Sequence, residues 1–167
     1  TLDSRALGGQ IGGLIEFRTT VLDPAAGGLG PVATSLAQTF NAGHRAGMDQ
    51  YGQLGTDFFN LPAPRISSNA GNTGNATLQT SVGSTGALSA QNVLLRFDGA
   101  AWVATNPDTG ASIPMTGTGT ATDPLLVNGI ELRLAPGTTP GTNDRFLLQP
   151  TAGVAGNLSV AITDPGR

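Results

Sequence analysis

The chain has 167 residues, of which 11% are charged, with a formal net charge of −3. That length accommodates one ordinary domain or two small ones, and the charge balance supplies no basic field for nucleic acid and no Lys/Arg cluster for an anionic membrane surface. Cysteine and lysine are both absent, which excludes disulfides, thiolate metal ligands, cysteine nucleophiles and a phosphate-binding lysine.

In chain order, the first pattern is helical. Leu7, Ile11, Leu14, Ile15, Val21 and Leu22 recur at three-and-four spacing, with Gln10, Glu16 and Thr20 opposite. Asp23-Pro24 reads as a cap followed by proline at the first helical position. Leu29, Val32, Leu36, Phe40 and the stem of His44 form a second stripe, so the expectation is a tightly joined helical pair whose two apolar faces meet one neighbour. Pro31 lies inside the second pattern and costs an uninterrupted helix roughly 3 kcal/mol; helix two either starts near Gly30 or kinks there.

The segment from Gly47 to Gly55 has three glycines and no period, and reads as a loop ending on Phe58-Phe59. Leu61-Pro62-Ala63-Pro64 favours extended, hydrogen-bond-poor backbone, which places a boundary between residues 1–61 and 62–167. Residues 66–92 are a Ser/Thr/Asn/Gly-rich lead-in in which only Ala76 to Val82 alternates, giving one edge strand. From Val93 the period becomes two. Val93, Leu95 and Phe97, a turn at Asp98-Gly99 or over Asp98 to Ala101, and Trp102 with Ala104 make a hairpin; in either register Trp102 shares a face with Leu95 and Phe97. Leu125 and Val127, then Asn128-Gly129, then Ile130, Leu132 and Leu134 give a second hairpin with Glu131 and Arg133 toward water. Phe146 and Leu148 before Pro150, and Leu158, Val160 and Ile162 before Asp164-Pro165, read as further strands. Six or so short antiparallel strands with Gly and Pro turns predict a small sandwich or partly open barrel, and the fold class is α+β.

Groups that carry chemistry are sparse. Gly8, Gly9, Gly12 and Gly13 lack the preceding strand that a phosphate-cradling loop requires, so they are expected to permit close approach of a neighbouring element. His44 is the single histidine and has Thr39, Phe40 and Met48 as helical neighbours, which favours packing or capping over catalysis. Asp49, Tyr51 and Gln53 fall short of a calcium loop, which needs Asp or Asn at the next ligand positions and a distant Glu. Asp123, Asp144 and Asp164 read as turn residues. No catalytic, cofactor-binding or metal-binding residue is assigned, and no cofactor.

The run Gly9-Gln10-Ile11-Gly12-Gly13-Leu14-Ile15-Glu16-Phe17-Arg18 is followed in unbroken order by Leu22-Asp23, Leu29-Gly30, Ala37, Phe40-Asn41, His44, Gly47, Asp49, Gly52, Gly55 and Phe58-Phe59. This order resembles the flagellar hook-associated protein 1 family, which forms the junction between hook and filament. RFDGAAW, VNGIELRL, NDRFLLQP and AITDP resemble the outer β domain of that family more weakly. The resemblance implies a structural subunit with no reaction. Residues 1–61 would belong, incompletely, to the axial tube wall, and 62–167 to an outward β domain. It also implies export through the flagellar channel, self-association, and contacts with hook and adjacent junction proteins, without nucleic acid or membrane. Axial contacts in the family come from helical chain ends; Thr1-Leu2-Asp3 and Asp164-Pro165-Gly166-Arg167 leave no room for a heptad seam, so a central fragment is expected. The rival reading is a carbohydrate- or surface-binding β module with Trp102 as stacking platform.

Overall fold

The computed structural model describes residues 9–164. Leu7 and Gly8, the Thr1-Leu2-Asp3 start and Pro165 therefore lie outside the described residues. Helix α1 (Gly9–Phe17) runs through a π-helical turn (Arg18–Leu22) directly into α2 (Asp23–Ala46). The expected break into a capped pair is not there: Leu22, at the start of α2, is itself in the right-handed helical region, and no side chain caps it. Proline is the reason for the π turn. Pro24 has no N–H to return to the preceding turn, and its ring crowds the carbonyl of residue 20, so a wider turn immediately before it relieves the clash. The Thr19 hydroxyl donates to the Ile15 and Glu16 carbonyls at 3.0 and 3.1 Å, and the Thr20 hydroxyl to Glu16 at 2.6 Å, which satisfies backbone acceptors around the irregular turn.

Pro31 does not begin helix two either, because α2 starts at Asp23 and passes through it. A proline at 31 deprives the Gly27 carbonyl of its helical donor, and the Thr151 hydroxyl takes that place at 3.4 Å from across the molecule. The helix ends where the Gly47 N–H reaches the His44 carbonyl at 3.1 Å and the backbone turns extended. The following loop closes on itself: Asp49 Oδ1 accepts the N–H groups of Tyr51 at 2.9 Å and Gln53 at 2.7 Å.

Nine strands follow among the described residues, not six. They are β1 (Phe59–Asn60), β2 (Arg65–Ser68), β3 (Leu78–Val82), β4 (Val93–Phe97), β5 (Trp102–Thr105), β6 (Leu125–Val127), β7 (Ile130–Leu134), β8 (Arg145–Gln149) and β9 (Ser159–Val160). All pairings are antiparallel, in sheets ordered β2-β8-β4-β5, β3-β7-β6 and β1-β9. The lead-in thus contributes β2 as well as the expected edge strand. The last strand is only two residues long, because Val154–Asn157 forms a helical turn, α3, just before it.

Both long hairpins form in the expected parity. Leu95 faces Ala104 and Phe97 faces Trp102 across the four-residue turn, while Val127 faces Ile130 across Asn128 and Gly129. Those two turn residues take φ of 49° and 78°, the left-handed pair that a two-residue hairpin demands. Glu131 and Arg133 pair with each other at 2.8 Å on the partly exposed face. The inner faces of the four-stranded and three-stranded sheets share one core, in which Val93, Leu95, Leu125, Ile130, Leu132 and Leu148 are fully buried. Each such aliphatic side chain contributes about 1.5–3 kcal/mol relative to exposure, so the sandwich carries most of the chain's apolar stabilisation.

Candidate functional site

Helix α2 uses an unusual face to dock. Its buried residues are Gly30, Thr34, Ala37 and Asn41, which recur at helical spacing but are small or polar. Small side chains let the helix axis come close. A Cβ at Gly30 would fall inside contact distance of the Thr151 side chain and lie 2.7 Å from its carbonyl oxygen, so only glycine fits this crossing. Thr34 is buried because its hydroxyl donates back to the Gly30 carbonyl at 2.9 Å. Asn41 clamps the helix to the first strand: its Nδ2 donates to the Phe59 carbonyl and its Oδ1 accepts the Phe59 N–H, both at 2.8 Å. β1 in turn pairs with β9, which ties the helix base to the end of the described chain.

The predicted apolar stripe lies elsewhere on the helix. Leu29, Val32, Leu36 and Phe40 are 61, 66, 57 and 50% exposed, and Ile11 and Leu14 on α1 are exposed as well. At about 100° per residue these positions form one band turned roughly a third of a turn away from the docking face. The single neighbour expected opposite both stripes is not supplied by the described residues, except at the Phe40–His44 end, where both rings pack against Phe58. Leu36, Thr39, Phe40, Gly43 and His44 line a shallow apolar groove in this band. The rings of Phe40, Phe58 and Phe59 cluster at 4.8–5.6 Å and support its floor.

His44 holds the end of the groove. The Thr56 carbonyl accepts from its Nδ1 at 2.7 Å, which fixes the proton on that nitrogen, and the ring lies 5.8 Å from Phe58. Gly55 crosses so close to the His44 carbonyl that a Cβ there would overlap it. The next residue, Arg45, pairs with Asp57. The glycines expected to permit close approach divide: Gly12 is buried, but a Cβ on Gly9 or Gly13 would meet nothing within 4 Å. Close approach occurs instead at Gly30 and Gly55.

The acidic residues act within turns. Asp144 is buried, and its carboxylate accepts the N–H groups of Thr73 at 2.7 Å, Gly141 at 2.8 Å and Gly74 at 3.1 Å, joining two long loops at one end of the sandwich. Burial pushes its pKa up, but the N–H groups of Gly141, Thr73 and Gly74 and the Thr73 hydroxyl together outweigh burial and hold it below the ordinary carboxylate value. Asp98 is held low chiefly by the N–H groups of Ala101 and Ala100, which close the first hairpin. Asp123 accepts the Thr118 hydroxyl at 2.8 Å, and Asp164 lies at a bend. Among the described residues no three His, Cys, Asp or Glu side chains converge as metal ligands would, and no helix is long and apolar enough to cross a membrane. Trp102 is 9% exposed, with Phe97 and Phe146 ring centroids at 5.4 and 5.7 Å, so it is a core residue and offers no stacking platform.

These features define a class: an α+β chain in which a long helix, docked through small and polar side chains, presents an exposed apolar face. Sequence comparison narrows the class. Residues 1–59 match the family described as flagellar hook-associated protein FlgK helical domain, and residues 67–150 match flagellar hook-associated protein 1, D2-like domain. The chain belongs to the flagellar hook-associated protein 1 family. It is 32% identical over 159 residues to flagellar hook-associated protein 1 of Escherichia coli K12, and 33% identical over 157 residues to that of Salmonella typhimurium LT2. These alignments cover 95% and 93% of this chain but only 28% of each relative, so the chain spans little more than a quarter of their length. Among solved structures, the flagellar hook junction protein FlgK from Burkholderia pseudomallei superposes with a TM-score of 0.77 at 35% identity, covering 93% of this chain and 28% of that one.

Proposed function

We propose that this chain is the central part of a hook-filament junction subunit, a structural component of the bacterial flagellum that catalyses no reaction. In this reading residues 1–61 are a strip of the axial tube wall and residues 62–167 an outer β domain. The subunit is exported to the cell exterior and held there by copies of itself and by hook and adjacent junction proteins. The observation that carries the reading is the exposed band Leu29, Val32, Leu36 and Phe40 on a helix whose opposite requirement, docking to the sandwich, is already met by Gly30, Thr34, Ala37 and Asn41. An apolar band of this kind, on the order of several hundred Å², marks a surface that another polypeptide covers. The division near residues 61–64 is supported by the proline-rich sequence there and by the gap between the two matched segments.

The test is complementation. Cells lacking the parent protein receive it with Leu29, Leu36 and Phe40 all changed to Ser. The exposed positions leave the sandwich folded, so the expected outcome is a secreted subunit that fails to support filament assembly. Normal motility of that variant would overturn the proposal. The division is tested separately with residues 64–167 alone, which should unfold cooperatively when followed by Trp102 emission, while residues 1–61 alone should be largely unfolded.

A further inference from the structure

The outer face of the four-stranded sheet is not the polar, evenly charged surface that the solvent side of a sandwich usually presents. Its register sets Arg96 directly opposite Arg145, an arrangement that like-charge repulsion disfavours, and places Arg65 beside Gln149 on the same face. Between them run Leu94, Leu147 and Val103, all only half-buried. No strand residue on this face carries a carboxylate, although Asp98, in the turn after β4, is close enough for the Arg96 charge to lower its pKa. Arg96 is steadied by Asn143, whose side-chain oxygen accepts from it at 3.2 Å, while Arg145 is exposed. Three of the chain's eight arginines are thus gathered on one face of a protein with eleven acidic residues, which leaves the remaining surface distinctly acidic. Arginine beside aliphatic side chains is the composition of a protein interface.

One acidic feature of the chain suits this face. The loop after β5 presents Asp108 at an exposed tip, and Asn106 Oδ1 stiffens that tip by accepting the N–H groups of Asp108 at 2.7 Å and Thr109 at 3.1 Å. We infer that the Arg96–Arg145 face receives the acidic Asp108 edge of a second copy of this chain, in a head-to-tail contact separate from the apolar helical band. Self-complementary pairing of the face is excluded, since it would set arginine on arginine. A head-to-tail contact is the kind that propagates around a ring or along a helical array. The inference rests on the proposed reading of repeated identical subunits, and adds to it the outer-domain surface on which neighbours meet.

The test uses the chain with Leu36→Ser and Phe40→Ser, which silences the helical band. Sedimentation velocity at about 20 mM and about 300 mM NaCl separates the electrostatic component. Association should appear at low salt, disappear at high salt, and weaken at least about tenfold with Arg96→Glu/Arg145→Glu or with Asp108→Arg. Mixing those two reversed variants should restore it. Unchanged Trp102 emission checks the fold, and Arg145→Gln provides a milder variant that keeps the side chain's reach. Absence of salt-sensitive association, indifference to either reversal, or failure of the mixture to recover would overturn the inference. If the unsilenced chain, run in parallel, associates insensitively to salt and the silenced chain does not associate at all, the inference is likewise overturned, while the proposed function stands.

Discussion

Replacing Gly30 by alanine should loosen the helix from the sandwich, and a matched substitution isolates the cause. An added Cβ at Gly30 lies 2.7 Å from the Thr151 carbonyl oxygen and 2.8 Å from its hydroxyl, whereas one at Gly28, in the same helix, meets nothing within 4 Å. Both changes gain the same intrinsic helix propensity, about 1 kcal/mol for Gly to Ala, so that term cancels in their difference. What remains is the clash. It involves a backbone oxygen, which cannot rotate away, and overpacking of this kind costs typically about 1–3 kcal/mol. Gly28→Ala should therefore match or exceed the parent in helix stability, and Gly30→Ala should fall about 1–3 kcal/mol below Gly28→Ala. Urea unfolding followed by far-UV circular dichroism reports the helix, and Trp102 emission reports the sandwich. If the two variants agree within about 0.5 kcal/mol, the docking geometry described for α2 is wrong.

Trp102→Ala should destabilise the sandwich by about 3–5 kcal/mol, measured from the shift in denaturation midpoint, and a near-neutral effect would contradict its place between Phe97 and Phe146. Asn41→Ala removes both bonds to the Phe59 backbone and should cost about 1–3 kcal/mol, with faster hydrogen exchange at the Phe59 amide as its local signature. For Asp144 and Asp98 the folded pKa is lowered, so their stabilisation is complete above the unfolded carboxylate range and is lost as pH falls through the folded values. Stability should accordingly drop below about pH 4, and Asp144→Asn should be less stable at neutral pH but show a shallower acid decline; an unchanged pH profile would refute the role of the buried carboxylate.

The two long hairpins were legible because period-two alternation and their turn residues agree: Asn128-Gly129 supplies left-handed backbone, and Asp98 collects the amides of its own turn. Trp102's burial follows from that parity alone. β1 and β2 were not legible in the same way, and the last strand, legible as such, is shorter than its alternation implied. Two-residue pairings such as Phe59 with Val160 have no room for a period, and they exist because Asn41 and the phenylalanine cluster hold the chain there. The continuous helix escaped for a related reason. A proline penalty is local, but its relief at Pro31 comes from Thr151, which no short-range pattern connects to Gly27. The apolar stripe itself was legible, and it stands exposed because the described residues supply no neighbour along most of its length. The residues that do pack inward, Gly30, Thr34, Ala37 and Asn41, recur at helical spacing too, and that run of small and polar side chains was the available signal.

The absence of cysteine permits a direct test of the central claim, since a single introduced thiol is unique in this chain. Leu36→Cys, placed in the parent protein on a background without other thiols, is reacted with a maleimide probe in the secreted subunit and in assembled flagella. The account predicts ready labelling of the free subunit and strong protection after assembly, with a control thiol at the exposed Ala121 position, outside both proposed contact surfaces, labelled in each state. Equal reactivity of Leu36→Cys before and after assembly would contradict the claim that this helical face is covered by neighbouring polypeptide.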